Sequence, residues 1–240
     1  MKKYTQEEFD NFKTDEYGYK ICPTGDYTDI KAFGECCHFG VGCRFGECCR
    51  FGEGCRFGEG CHFGVDCHFG ADCSFGVDCI FGVVCHFGEW CFFGECCHFG
   101  EWCFFGECCR FGEGCRFGEC CNFGDRCNFD EYCIFGSRCN FGDRCNFGGC
   151  CIFGEWCNFA MYCNFENGRV VNGIYFACDR IGSEKRKTYF FKGDNGYFVR
   201  AGCFFGTFDE FIERVHKVHV GTKFEKEYEL AVELAKVVLG

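Results

Sequence analysis

A single proline in 240 residues excludes a collagen-like or proline-rich extended chain. No run of about 18 apolar residues occurs, so no membrane-crossing helix is expected. The opening stretch Met1-Lys-Lys-Tyr-Thr-Gln-Glu-Glu8 lacks the apolar segment of a secretory signal. The composition of a disordered chain is missing too. Aromatic residues make up 20% of positions, and so much apolar side chain collapses in water. No two cysteines are separated by two residues, the spacing that structural zinc sites use. No metal ligands and no cofactor are therefore expected. Without an export signal, the 31 cysteines read as free thiols in a reducing cytoplasm.

What the chain does contain is a repeat. Cysteine recurs every six residues from Cys37 to Cys163, and phenylalanine every six from Phe33 to Phe165. Glycine usually follows the phenylalanine, so the unit is Phe-Gly-x-x-Cys-x, as in Phe111-Gly-Glu-Gly-Cys-Arg116. On a strand, side chains two apart share a face. Each Phe and the Cys two before it therefore point inward together, and the residue between them points outward. Glycine after Phe is expected to supply the positive φ of a tight corner. Each unit is then a short strand plus a turn, and stacked units make a parallel β-solenoid.

This unit resembles that of the hexapeptide-repeat proteins, with Phe in their aliphatic slot and Cys in their small slot. The resemblance covers residues 31–168. It implies a left-handed parallel β-helix, triangular in section, with three six-residue units per coil. That gives about 7.7 coils and a rod about 37 Å long. Phe in every aliphatic slot departs from the family pattern. The family's best-known members are trimeric acyltransferases whose catalytic histidine works in a cleft between subunits. Here His38, His62, His68, His86 and His98 share one outward slot with Arg and Asn, and no unit carries an insertion. No histidine is singled out, so no catalytic residue is assigned and an enzyme is not expected.

The expected fold is thus mainly β: an N-terminal cap over 1–30, the β-helix over 31–168, and a C-terminal α+β domain over 169–240. Thr5-Gln-Glu-Glu8 is a capping box, which predicts a helix over 5–13. Tyr27, six residues before Phe33, is placed to start the first coil. In the C-terminal domain, strands over 174–180, 188–192 and 197–204 form a β-meander, with turns at 183–187 and 193–196. Capping boxes at Thr207–Glu210 and Thr222–Glu225 open helices over 207–219 and 222–238, the second with Leu230, Leu234 and Val238 at helical spacing. The stretch Gly202-Cys-Phe-Phe-Gly-Thr-Phe-Asp-Glu-Phe211 resembles the C-terminal domain of uncharacterised phage and prophage proteins. That resemblance implies a viral or mobile-element setting in a bacterial cytoplasm, and no activity.

Charge divides unevenly, at −3 over 1–30, −10 over 31–168 and +2 over 169–240. An acidic rod does not suit direct binding to nucleic acid. The outward apolar residues are more specific. Stacking by 18 places Ile80, Val83, Val84, Trp102, Ile134, Ile152 and Trp156 on one face, where the other two carry Asn columns at 122, 140, 158 and 128, 146, 164. Folding of one rod leaves such side chains wet. Ile80, Val84, Trp102, Ile134, Ile152 and Trp156 are therefore expected to form an oligomer interface, in a homotrimer as the resembled fold implies. The rival cover is the C-terminal domain folded back along the rod. Trp90, His98, Trp102, Phe104, Arg110 and Arg116 would suit stacking on a base and pairing with a phosphate. The expected function is a non-catalytic oligomeric binding protein, a phage-encoded sponge for a small nucleotide immune signal. The alternatives are an acidic inhibitor or DNA mimic directed at a host protein, and a hexapeptide-repeat acyltransferase.

Overall fold

The computed structural model describes the chain apart from Glu155, Trp156, Met161, Glu166, Asn167, Asp194, Asn195 and Cys203, and gives only the backbone of 168–174, Arg186 and Phe205. Residues 20–165 wind into a three-sided parallel β-solenoid of about eight coils. The first side runs from Asp26–Tyr27 to Ile152–Phe153, the second from Lys20–Cys22 to Asn164–Phe165, and the third from Ala32–Phe33 to Asn158–Phe159. Pairing advances by 18 residues, as in Ile80↔His98 and Phe81↔Phe99. The six-residue period and the inward Phe and Cys follow the expectation from sequence.

The core explains why every aliphatic slot takes phenylalanine. Along one side the rings stack in parallel, Phe81 on Phe99 at 4.8 Å and Phe99 on Phe117 at 4.9 Å. Between sides they meet edge to face, Phe99 against Phe93 at 5.0 Å and against Phe105 at 5.1 Å. Both geometries suit the aromatic quadrupole, and three edge-on rings fill the triangular section. Cysteine does more than make room. Its thiol donates to the Gly carbonyl 21 residues earlier, as in Cys79 Sγ to Gly58 O at 3.5 Å and Cys97 Sγ to Gly76 O at 3.4 Å.

Glycine after Phe has a different reason from the one expected. The positive φ lies two residues further on, just before Cys, at Val84 (61°), Trp90 (60°) and Trp102 (60°). A non-glycine residue there is strained by about 1–2 kcal/mol, and a hydrogen bond between coils holds it, as in Trp102 N to Glu119 O at 2.9 Å. The glycine itself serves close approach. A Cβ on Gly100 would sit 2.7 Å from the Gly82 carbonyl carbon and the Val83 nitrogen of the coil below.

Both ends of the aromatic column are plugged. Helix α1 (Gln6–Asp10) has the expected capping box but stops at Asn11, short of residue 13. Its Phe9 is buried edge-on to Phe33 at 5.1 Å. Tyr27 does start the stack, lying on Phe45 at 5.5 Å and under Tyr4 at 5.1 Å.

At the other end, strands Gly168–Ile181, Arg186–Gly193, Gly196–Ala201 and Phe204–Thr207 form an antiparallel sheet, one strand more than expected. Asp194 and Asn195, in the expected 193–196 turn, lie outside the described residues. The period of two sorts the sheet's faces. Phe191 stacks on Phe165 at 4.9 Å, the Tyr189 hydroxyl donates to Gly154 O, and the Arg200 guanidinium donates to Cys151 O. Phe190 and Val199 face helices α2 (Phe208–Val218) and α3 (Lys223–Leu239). The capping box at Thr207 forms, whereas Thr222 makes no side-chain cap and Glu225 instead accepts from Gly221 N at 2.7 Å. On α3 the buried face is Ala231, Val232, Ala235 and Leu239, so Leu230, Leu234 and Val238 are exposed. Alanines let the helix lie close to the sheet, which larger side chains would prevent.

This placement corrects the fold-back expectation. Among the described residues, the C-terminal sheet engages the last coil, from Cys151 to Phe165, and does not lie along the rod.

Candidate binding surface

The solenoid presents its chemistry as columns. On each side, the residue before Phe is repeated at the coil spacing of about 4.8 Å. The first side reads Arg44, His62, Ile80, His98, Arg116, Ile134, Ile152. The third side reads Arg50, His68, His86, Phe104, Asn122, Asn140, Asn158. The second carries Arg56, Ser74, Phe92, Arg110, Asn128, Asn146 and Asn164.

The apolar residues expected at an interface are outside the rod and uncovered. Ile80 is 42% exposed, Trp102 52% and Ile152 53%, with Val83, Val84 and Ile134 also open. Ile134 and Ile152 are neighbours on the first side, and His98 and Arg116 separate them from Ile80. Val84 and Trp102 occupy the corner between the first and third sides, on successive coils. Trp156 lies outside the described residues.

The six residues expected to hold a ligand are not gathered on one rod. His98 and Arg116 are paired on the first side, with Trp102 at the corner that follows. Phe104 is on the third side, stacked on His86 at 4.8 Å. Trp90 stands at the corner between the third and second sides. Arg110 is on the second, its guanidinium 5.4 Å from the Phe92 ring. The six therefore face three directions: His98, Trp102 and Arg116 about the first side, Phe104 on the third, and Trp90 and Arg110 about the second, where Phe92 joins them. Of these, Arg110 lines a shallow groove of about 460 Å³ together with Phe92, Asn128 and Asp130.

The asparagine columns form ladders. Asn140 Nδ2 donates to Asn122 Oδ1 at 2.9 Å, and Asn158 Nδ2 to Asn140 Oδ1 at 2.8 Å. On the second side Asn146 bonds Asn128 at 2.8 Å. Beside that ladder, Arg126, Arg144 and Tyr162 line a groove of about 440 Å³. Sequence reasoning overlooked this basic wall. Its signal was available, since 126, 144 and 162 are 18 apart and share a corner. The carboxylates next to them are turned to the backbone, with Asp125 Oδ1 accepting from Asp143 N at 2.8 Å.

The inward thiols are buried, which keeps reagents from them. Cys61 and Cys79 are pushed up to about 12. The thiol of the preceding coil lowers each through its hydrogen bond, while the thiol of the next coil and the loss of water outweigh it. Cys48 and Cys96, at corners, are exposed. Among the histidines, His98 stands between Ile80 and Arg116, and His62 between Arg44 and Ile80. Neither has the carboxylate neighbour that orients a general base.

Comparison of the chain with protein-family models, with curated proteins and with solved structures finds no match in any of the three.

Proposed function

We propose that this chain is a non-catalytic binding protein that works as a homo-oligomer, most simply a trimer of rods meeting along the first side. It holds a nucleotide-like small molecule in the clefts between rods, as a sponge that removes a signalling nucleotide from a bacterial cell during phage infection. The observation that carries the reading is the exposed apolar stripe of Ile80, Val83, Val84, Trp102, Ile134 and Ile152 on a rod whose two ends are already plugged. Closed ends leave the sides as the surface for association, and closed symmetry is the usual way to cover such a stripe. His98 and Arg116 interrupt that stripe, and Trp102 belongs to it. In a cleft between two rods they supply a stacking ring and cationic donors for a base and a phosphate.

A second reading rests on a separate observation. Residues 31–168 carry a net charge of −10, and an acidic rod would meet a basic protein surface. Protein purified after incubation with a bacterial nucleotide extract separates the two. Heat denaturation of the sponge releases a nucleotide identifiable by mass spectrometry, and the native protein shields that nucleotide from phosphodiesterase. A protein that releases no small molecule, but retains a basic partner in stoichiometric amount, would overturn the first reading in favour of the second.

A further inference from the structure

We propose that Asp66, His68 and His86 form a binding site for a divalent transition metal on the third side of the rod. The proposal is independent of the nucleotide reading and adds a ligand class that the sequence spacing did not suggest.

The site follows from the 18-residue coil. His68 and His86 occupy the same outward slot on successive coils and are paired in register. Their rings lie parallel, 2° apart in orientation and 4.6 Å between centroids. Asp66 sits at the corner two residues before His68, and its Oδ1 is 3.3 Å from His68 Nε2. One ligand atom from each of the three residues lies within 4.8 Å of the other two. The Cys48 thiol, one coil below Asp66, reaches its second oxygen at 3.7 Å, so the carboxylate is held from behind.

The donor set fits the chemistry. Two imidazoles and a carboxylate suit Zn²⁺, Co²⁺ or Ni²⁺, and three protein ligands leave a fourth position for water or an anion. Metal–nitrogen bonds of about 2.0–2.1 Å place two ligands roughly 3.4 Å apart around a tetrahedral ion. The backbone ladder already holds the two histidines one strand spacing apart, so small rotations of the exposed His68 ring and of the Asp66 carboxylate close that gap. Phe104 stacks on the far face of His86 and gives the site an apolar wall.

Among the described residues, no other histidine has this setting. His62 and His98 neighbour arginine and isoleucine. His216 is near Glu225 and Glu229, but that group holds one imidazole rather than two, and its Glu225 already accepts from Gly221 N at the start of α3.

The test uses the full chain, kept reduced and stripped with a chelator. Co²⁺ is titrated and followed by its visible bands, and Zn²⁺ is titrated by calorimetry. The wild type should bind one ion per chain. His68→Asn and His86→Asn should each weaken binding by more than roughly 100-fold, beyond the usual effect of losing an outer-shell partner. Asparagine is the residue the chain itself places in this column at 122, 140 and 158, so the fold is retained, as circular dichroism will verify. His62→Asn and His216→Asn should bind as the wild type does. The proposal fails if the wild type binds no ion at micromolar concentration. It fails equally if binding survives the His68→Asn/His86→Asn double variant or is lost in His216→Asn.

Discussion

Phe104 and Phe105 are adjacent in sequence and identical in chemistry, yet the fold gives them opposite fates. The Phe105 ring is buried, stacked between Phe87 at 4.9 Å and Phe123 at 4.8 Å. It also meets Phe99 and Phe111 edge-on, each at 5.1 Å. Phe104 is 38% exposed and touches one ring, His86. Truncating a fully buried Phe costs about 3–5 kcal/mol, from lost burial and from the cavity left behind. The upper end applies to Phe105, because these ring contacts and the edge-on ones to Phe93 and Phe117 at 5.8 Å are all lost and a rigid ladder cannot collapse into the gap. Truncating Phe104 should cost under about 1 kcal/mol, as at other exposed positions. Urea unfolding of Phe104→Ala and Phe105→Ala, followed by far-ultraviolet circular dichroism at equal protein concentration, measures the difference. Equal losses in the two variants would refute the inward and outward assignment, and with it the six-residue strand-and-corner unit.

Further outcomes follow from other contacts. In native protein, Cys48 and Cys96 should be alkylated quickly and Cys61, Cys79 and Cys97 scarcely at all; after denaturation without reductant, mass spectrometry should find all 31 thiols free. Fast labelling of the inner column would contradict its burial. His86 is held below the ordinary 6.5, so the unfolded chain binds a proton more readily than the folded one. Stability should therefore fall as pH drops through the region just below 6.5, and His86→Asn should flatten that limb relative to the wild type. An unchanged limb would mean His86 titrates normally. Arg200 is buried, donates to Cys151 O and lies 5.2 Å from the Phe153 ring. Arg200→Ala should cost about 1.5–3 kcal/mol and loosen the C-terminal sheet first, seen as faster hydrogen exchange there than in the mid-rod coils.

The solenoid was legible because its physics repeats. One inward pair every six residues specifies strand, corner and stacking partner at once, and the 18-residue coil then names the neighbours of every outward residue. The asparagine ladders and the first-side stripe could be drawn on that basis alone. Glycine was harder to place, since a sequence cannot distinguish a glycine needed for φ from one needed for space; Trp90 and Trp102 carry the positive φ while Gly100 meets the next coil. In the C-terminal unit, Leu230 and Leu234 set the helical period of α3 but lie on the open side, because Ala231 and Ala235 give closer contact with the sheet. The cap over the last coil depends on Phe191 and Tyr189 facing Phe165 and Gly154, long-range contacts that local alternation does not encode. Trp90, Trp102 and Phe104 are near one another in sequence, but consecutive units face different sides of a triangle. Asp66, His68 and His86 meet only across coils, with the two histidines 18 residues apart, a spacing unlike the short separations of a hairpin or helix metal site.

The central claim is that the first side and its corner meet other copies of the chain. Sedimentation equilibrium across micromolar concentrations, on the wild type and on Trp102→Glu/Ile134→Glu, tests it most directly. The account predicts an oligomer, most simply a trimer, for the wild type and a folded monomer for the double variant, since two carboxylates in the stripe cannot be buried unpaired. A wild type that sediments as a monomer throughout, or a double variant that assembles as the wild type does, would contradict it.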